Sequence, residues 1–297
     1  MRSPIEPFME KHFALRLGAL FFGMLFSALS IAQQTDCPKH FAGGAAPEFI
    51  SEKLAHNTVE LCFEAYAVMH SGVSRTPLWS AEHLNRARIS DAKAMKRRNA
   101  FHPEEQLPPN ERAELRDYAR SGFDRGHMSP SGDMPDESAQ YESFSLANII
   151  PQDPNNNQRL WADIEEQTRY LAAHRGELYV ITGPMFEGES LRRINGRVLV
   201  PTHVFKAVYD PIRKQAGAYI APNTEGAEYE TVPIAELERR INIDLFPGLP
   251  SEVKQRKMNL PTPSVRQRRP GPHKENDADG KAQDVVRRIL RTFGIRP

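Results

Sequence analysis

Cysteine is almost absent: Cys37 and Cys62 are the only two in 297 residues, and they form no Cys-x-x-Cys pair. A structural zinc site, which needs closely spaced thiolates or imidazoles, is therefore argued against. An excess of either charge is also missing, since 39 Lys and Arg against 38 Asp and Glu leave a formal +1. The total announces no polyanion partner, and any nucleic-acid surface must come from local clustering. The longest apolar run, 17–29, is too short for a comfortable membrane span. No recognition helix, zinc finger or other base-reading motif is visible, so any nucleic-acid contact is expected through the backbone rather than the bases.

What is there begins with that apolar run. Lys11 and Arg16 precede it and Ser30-Ile31-Ala32 follows it, which is the form of a secretory signal peptide over 1–32, cleaved after Ala32. A retained anchor is the alternative, and translation starts at Met1 or Met9. Both cysteines lie in the exported part, so a Cys37–Cys62 disulfide in a periplasmic or secreted protein is the natural pairing, against two buried thiols. Closing that loop is worth about 3 kcal/mol by chain-entropy reckoning.

With 39% hydrophobic and 26% charged residues the remainder is long enough for one large domain. Alternation predicts a strand over 59–69 with Val59, Leu61, Phe63, Ala65 and Ala67 on one side, and a core-packing aromatic segment around Trp79. Further strands are predicted at 178–182, 197–200, 202–209 and 217–220, and a helix around 234–241. No regular βαβ repeat appears, so the class is α+β with a mainly antiparallel sheet. From 259 to 297 the character changes. Arg266, Arg268, Arg269 and Lys274 stand among Pro261, Pro263, Pro270 and Pro272, followed by an acidic patch and an apolar-basic run at 285–293. This reads as a disordered basic extension with a short amphipathic helix, either a solvated tail or a loose electrostatic hold on nucleic acid.

Two segments carry chemistry. Residues 121–134, Ser-Gly-Phe-Asp-Arg-Gly-His-Met-Ser-Pro-Ser-Gly-Asp-Met, set an acid, a base, a glycine and an imidazole side by side. Gly126 frees the backbone and Pro130-Ser-Gly132 closes the segment, which predicts His127 at the lip of a strand with its ring open to a cleft. Alone, these residues read equally well as a surface ion pair and a turn histidine. In the second segment, Leu160, Trp161, Ile164, Thr168 and Leu171 recur at helical spacing over 157–175, and Gly176 stops the helix. Projection at 100° per residue puts Asn157 near the centre of the apolar stripe and Glu165 at its edge. Asn157 then reads as a helix cap or a functional amide, and Glu165 as an i,i+4 partner of Arg169 or a functional carboxylate.

Together, Asp124-Arg125-Gly126-His127 and the Asn-Gln-x-x-x-Trp-x-x-x-Glu pattern from Asn157 to Glu165 resemble the DNA/RNA non-specific endonucleases of the ββα-metal class. That class includes secreted bacterial nucleases and mitochondrial endonuclease G. The resemblance covers about 55–245, within a domain placed at 33–258, and says nothing of the extension. It implies a ββα-metal (His-Me finger) fold and a Mg²⁺- or Mn²⁺-dependent hydrolase that cuts DNA and RNA backbones and leaves 5′-phosphate ends. It further implies His127 as general base, Arg125 and Arg98 on the phosphate, Asn157 as metal ligand, and Glu165 holding the metal's waters. Asp124 supports the site, and Asn148 orients the metal's surroundings or His127. Arg98 is carried over from Arg98-Asn99-Ala-Phe101 and the acidic, proline-rich loop after it. Ala147, where the family often has Ser or Thr, departs from the pattern without touching a catalytic position. Rival readings are a decayed exported nucleic-acid-binding protein, a small-substrate metal phosphodiesterase, and His102 or His203 as the base. A homodimer and a protein inhibitor stay open as partners.

Overall fold

The computed structural model describes Met1 and residues 35–264; the signal peptide expected at 1–32 and the stretch 265–297 lie outside the described residues. Seven strands form the central sheet: β1 (Thr58–Cys62), β2 (Ala67–Ser71), β3 (Thr76–Asn85), β6 (Glu177–Met185), β7 (His203–Asp210), β8 (Gln215–Pro222) and β9 (Glu230–Val232). A separate two-stranded pair, β4 (Asp124–His127) with β5 (Ile149–Gln152), completes the numbering. The sheet order is β9-β8-β7-β6-β3-β2-β1, and every neighbouring pair is antiparallel. The α+β expectation holds.

The predicted strand over 59–69 is two strands. Phe63 N–H donates to the Tyr66 carbonyl at 2.9 Å and closes a tight turn between β1 and β2. Phe63 and Ala65 are buried inside that turn, so the apolar alternation runs straight through it and hides the reversal. Cys37 and Cys62, with Cα atoms 5.7 Å apart, are disulfide-bonded and tie the segment before β1 to its end.

Successive residues of a strand face opposite sides, and β7 shows both layers. Phe205 and Ala207 join Phe41, Trp79, Ala81 and Ile220 against the helix Ile234–Ile241. Val204 and Val208 face the other way. There Leu171 and Ala172 of the helix Ala162–Arg175 pack on Leu178, Val180 and Val208, while Leu160, Trp161 and Ile164 pack on Val204, Tyr219 and Ala221. Each Val, Leu, Ile or Phe among them contributes about 1.5–3 kcal/mol on leaving water. The clamped helix becomes a fixed platform, and Met128 and Ile150, just beyond β4 and within β5, join the same cluster.

The helix does not begin as a plain α-helix. Asn156–Trp161 forms a π turn, whose i→i+5 bonds fit an extra residue into the coil and rotate everything before it. The 100° projection fails at that point. Asn156 takes the buried position, its Nδ2 donating to the Pro222 carbonyl at 2.9 Å and its Oδ1 accepting from Gln152 at 2.8 Å. Asn157 is only half-buried and turns toward β4.

Candidate active site

His127 is the last residue of β4, as its turn-rich flank predicts, but its ring is buried rather than open to a cleft, at 6% exposure. Phe101 lies 5.3 Å away, tilted, and Phe144 lies edge-on at 4.9 Å. A guanidinium caps each of these rings: Arg125 over Phe101 at 4.4 Å and Arg97 over Phe144 at 5.3 Å. Burial, then Arg97, then Arg125 lower the imidazole pKa from 6.5 to about 3. The ring is therefore neutral, with its Nε2 buried and lacking a hydrogen-bond partner.

Gly126 is required for a steric reason. A Cβ there would fall 2.0 Å from Gln152 Oε1 and 2.7 Å from Gln152 Cβ, inside the facing strand. Asn148 is fully buried with its amide committed: Oδ1 accepts from Ser129 N–H at 2.9 Å, and Nδ2 donates to the Ser129 and Ser143 carbonyls at 2.8 and 2.9 Å. Asn148 thus pins the backbone two residues past His127. All three of these bonds go to Ser129 and Ser143.

Asp124, at the start of β4, accepts Asn157 Nδ2 at 3.0 Å and Gln158 Nε2 at 2.7 Å. Holding the nitrogen of Asn157 fixes which end of the amide remains, and that end is the oxygen. Glu165, two helical turns on, is mostly buried, with 16% of its side chain exposed. Burial raises its pKa from 4.5 to about 7, with Arg169 and Lys206 opposing, Asp133 reinforcing and Arg97 opposing. The expected i,i+4 pair with Arg169 exists only at 4.0 Å, because Arg169 is held at 2.9 Å by buried Asp133.

Arg98 requires a correction. Its guanidinium is 73% exposed and pairs with the equally exposed Glu137 at 3.2 Å. Its neighbour Arg97 turns inward to Phe144 and donates to Ser131 Oγ at 3.2 Å. The helix Arg86–Ala94 ends at Met95, whose backbone is extended, and past it Arg97 turns to Phe144 and acts on His127 electrostatically while Arg98 turns to Glu137. His102 stacks on Tyr141 at 4.4 Å, and His203 pairs with Glu187 at 3.3 Å, so neither belongs to the ring around His127. Sequence reading missed Arg97, Phe144, Asp133 and Lys206. Two of them left a signal, Arg97 in the basic run 93–98 and Asp133 near the end of segment 121–134.

Among the described residues, no three His, Cys, Asp or Glu side chains converge as a closed metal site. The donors are instead an amide oxygen on Asn157 with the Glu165 carboxylate along the same helix, which suits a hard, largely hydrated ion such as Mg²⁺. The residues fit that ion and would leave most of its coordination to water and phosphate.

Residues 46–252 match the profile of a family described as DNA/RNA non-specific endonuclease. The mitochondrial nuclease EXOG of Danio rerio is 32% identical over 205 residues, 62% of this chain and 60% of that protein. Nuclease C1 of Cunninghamella echinulata is 34% identical over 175 residues, 54% of this chain and 69% of that protein. The chain thus spans somewhat under two thirds of the EXOG relatives it matches. A solved complex of EndoG with EndoGI, concerned with EndoG inhibition, superposes with a TM-score of 0.60 at 26% identity and covers 66% of this chain and 88% of that one. The strand pair bearing His127, the helix bearing Asn157 and Glu165, and the match over 46–252 agree, and the chain belongs to the DNA/RNA non-specific endonuclease family.

Proposed function

We propose that the protein is an exported, Mg²⁺-dependent endonuclease that hydrolyses DNA and RNA with little sequence specificity and leaves 5′-phosphate ends. The observation that carries this is the box around His127: a neutral, buried imidazole between two phenylalanines, each capped by an arginine. Arg97 and Arg125 bind the non-bridging phosphate oxygens, and His127 takes the proton from the attacking water. The water oxygen bonds to phosphorus as the P–O3′ bond breaks, so the phosphate stays on the 5′ side. Asp124 orients Asn157, and Asn157 and Glu165 hold the ion and its waters. A divalent ion bound there supplies counter-charge to the phosphate and the departing oxygen. These contacts address the backbone that DNA and RNA share, which supports indifference to sequence.

The Cys37–Cys62 disulfide supports export to the periplasm or beyond, because such bonds persist in oxidising compartments. Intact-mass analysis of the secreted protein should show loss of about 1–32 and no thiols alkylatable before reduction. The activity is tested by plasmid relaxation and RNA digestion with Mg²⁺ and with EDTA, and by end-labelling with and without phosphatase. Metal-independent binding without cleavage would mean a decayed binding protein. Turnover of bis(p-nitrophenyl) phosphate with no cut in long nucleic acid would mean a small-substrate phosphodiesterase. Sedimentation and an inhibitor screen address a homodimer and a protein inhibitor.

A further inference from the structure

The described part of the molecule has the wrong overall charge for a polyanion. Residues 35–264 carry 27 Lys and Arg against 32 Asp and Glu, a balance of −5. Several of these cations are also committed internally, such as Arg88 to Glu82, Arg169 to Asp133 and Arg175 to Asp210. At long range such a body repels the substrate assigned to its site, so a firm hold on it needs a local concentration of uncommitted cations.

A cleft beside the β7–β8 turn has that composition. Arg213 and Lys214 of the turn, with Arg256 and Lys257 just past the short helix Ser251–Gln255, line a space of about 400 Å³ in which Glu252 is the one acid. Arg213 is held by buried Asp210 at 3.3 Å. Lys214, Arg256 and Lys257 are exposed and form no ion pair among the described residues. Lys214 takes a left-handed backbone, φ 51°, where Gly or Asn would sit with less strain, so a cation stands at the tip of the turn against local preference. The wall is built into the fold: Met258 N–H donates to the Ala216 carbonyl at 2.8 Å, and Met258 packs with Leu171, Ala172 and Val208. That places the cleft on the sheet face covered by the helix Ala162–Arg175. Arg175, the last residue of this helix, donates to Gln215 at 3.1 Å, and Gln215 also lines the cleft. Asn157 lies toward the other end of the same coil, and residues 157 to 175 at about 1.5 Å each span about 27 Å. A duplex advances about 3.4 Å per base pair, so about eight base pairs cover that separation.

We propose that this cleft is a second anion site, which holds the phosphodiester backbone of a bound duplex at a distance from the bond addressed by His127. The proposal rests on the nuclease reading and adds to it an element that supplies affinity without touching the reacting phosphate. Lys214, Arg256 and Lys257 neutralise three phosphates, which contributes about 2.7 to the slope of log affinity against log salt, or about 40-fold in affinity between about 50 and 200 mM.

The test uses the full chain carrying K214Q, R256Q and K257Q together. A second variant, K39Q, K53Q and R239Q, removes the same charge from exposed residues on segments packed against the opposite sheet face. Binding of a duplex of about 30 base pairs is measured in EDTA across a NaCl series, so cleavage does not enter the readout, and melting curves check that all the proteins are folded. We expect the salt slope to fall by about 2.7 in the cleft variant, by about 0.9 in K214Q alone, and by less than about 0.5 in the opposite-face variant. An unchanged slope in the cleft variant, or an equal fall in the opposite-face variant, overturns the second site and leaves the nuclease reading intact. A fall confined to the cleft variant, in a protein whose native form cuts no nucleic acid with Mg²⁺, overturns the nuclease reading and keeps the cleft as a backbone site. If the cleft variant loses binding to polyglutamate while its duplex slope is unchanged, the cleft serves an acidic protein partner and the proposal is wrong.

Discussion

Glu165 stands in the site at an electrostatic cost, and replacing it by glutamine should release that cost in a way that depends on pH. Its pKa is raised from 4.5 to about 7 chiefly by burial, so the folded protein binds this proton more tightly than the unfolded chain does. The stability this gives is present in full below pH 4.5 and is lost as pH rises through about 7. At about 1.4 kcal/mol per pH unit, the loss amounts to about 3 kcal/mol by pH 8. Glutamine mimics the protonated carboxyl and does not titrate. Arg169 keeps its partner Asp133 at 2.9 Å, so E165Q strands no guanidinium. In EDTA, E165Q should match the native protein in stability near pH 4 and exceed it by about 3 kcal/mol at pH 8. For a domain of this size that is about 6–12 °C in Tm. His127 titrates identically in both proteins and cancels in the difference.

Thermal and urea unfolding of both proteins, at pH 4 to 8 in EDTA and again in Mg²⁺, reads this directly. With Mg²⁺ the order should reverse in function: the native protein gains stability at pH 8 because the carboxylate acquires a counter-charge, E165Q gains less, and its activity needs more metal. A stability gap that is flat with pH, or an E165Q protein less stable than native at pH 8, would refute the argument.

Four further outcomes follow from the geometry. H127A should lower turnover by about 10² to 10⁴ with DNA binding retained. The imidazole pKa is depressed to about 3 in the free protein, so His127 is neutral and competent above that pH and contributes no limb near 6.5 in kcat/KM, whereas a limb near 7 belongs to Glu165 and should be absent from E165Q. A phosphate that neutralises Arg97 and Arg125 should place its limb in kcat at higher pH, as paired pH profiles would show. R97A should lower kcat/KM by about 10- to 100-fold, whereas R98A, which breaks only an exposed pair with Glu137, should stay within a few-fold in the same assay. G126A should destabilise the protein by about 1–3 kcal/mol in urea unfolding, because its Cβ would strike Gln152.

The tetrad 124–127 and the spacing from Asn157 to Glu165 put the candidate groups within reach of sequence reasoning, because both motifs are local. β4 carries Asp124 and His127 as the flanking turn residues demand, and one helix carries both Asn157 and Glu165. The orientation of those groups was not legible. Arg97 and Arg98 are chemically identical neighbours, and which one meets Phe144 depends on how the chain leaves the helix Arg86–Ala94. The π turn at Asn156–Trp161 has no signature in periodicity, so three successive asparagines could be told apart only by which cavity each one fills.

The floor under the site was hidden for a deeper reason. Ser80, Thr182, Lys206 and Tyr219 form one row across β3, β6, β7 and β8, set by the register of three strand pairings. Each alternates with apolar residues in its own strand, so each reads alone as an ordinary solvated position. Assembled, the row is buried: Lys206 Nζ donates to Thr182 Oγ1 at 2.7 Å and stands 5.7 Å from the Trp161 ring, and Ser80 bonds Ser129 Oγ at 2.7 Å. Burial raises the pKa of Glu82 to about 8 and of Glu165 to about 7, and the Lys206 ammonium opposes that rise in both without overcoming it. Burial is thus the first cause of the Glu165 shift and Arg169 on its own helix the second, while Lys206, Asp133 and Arg97 act on it from segments that only the folded chain brings together.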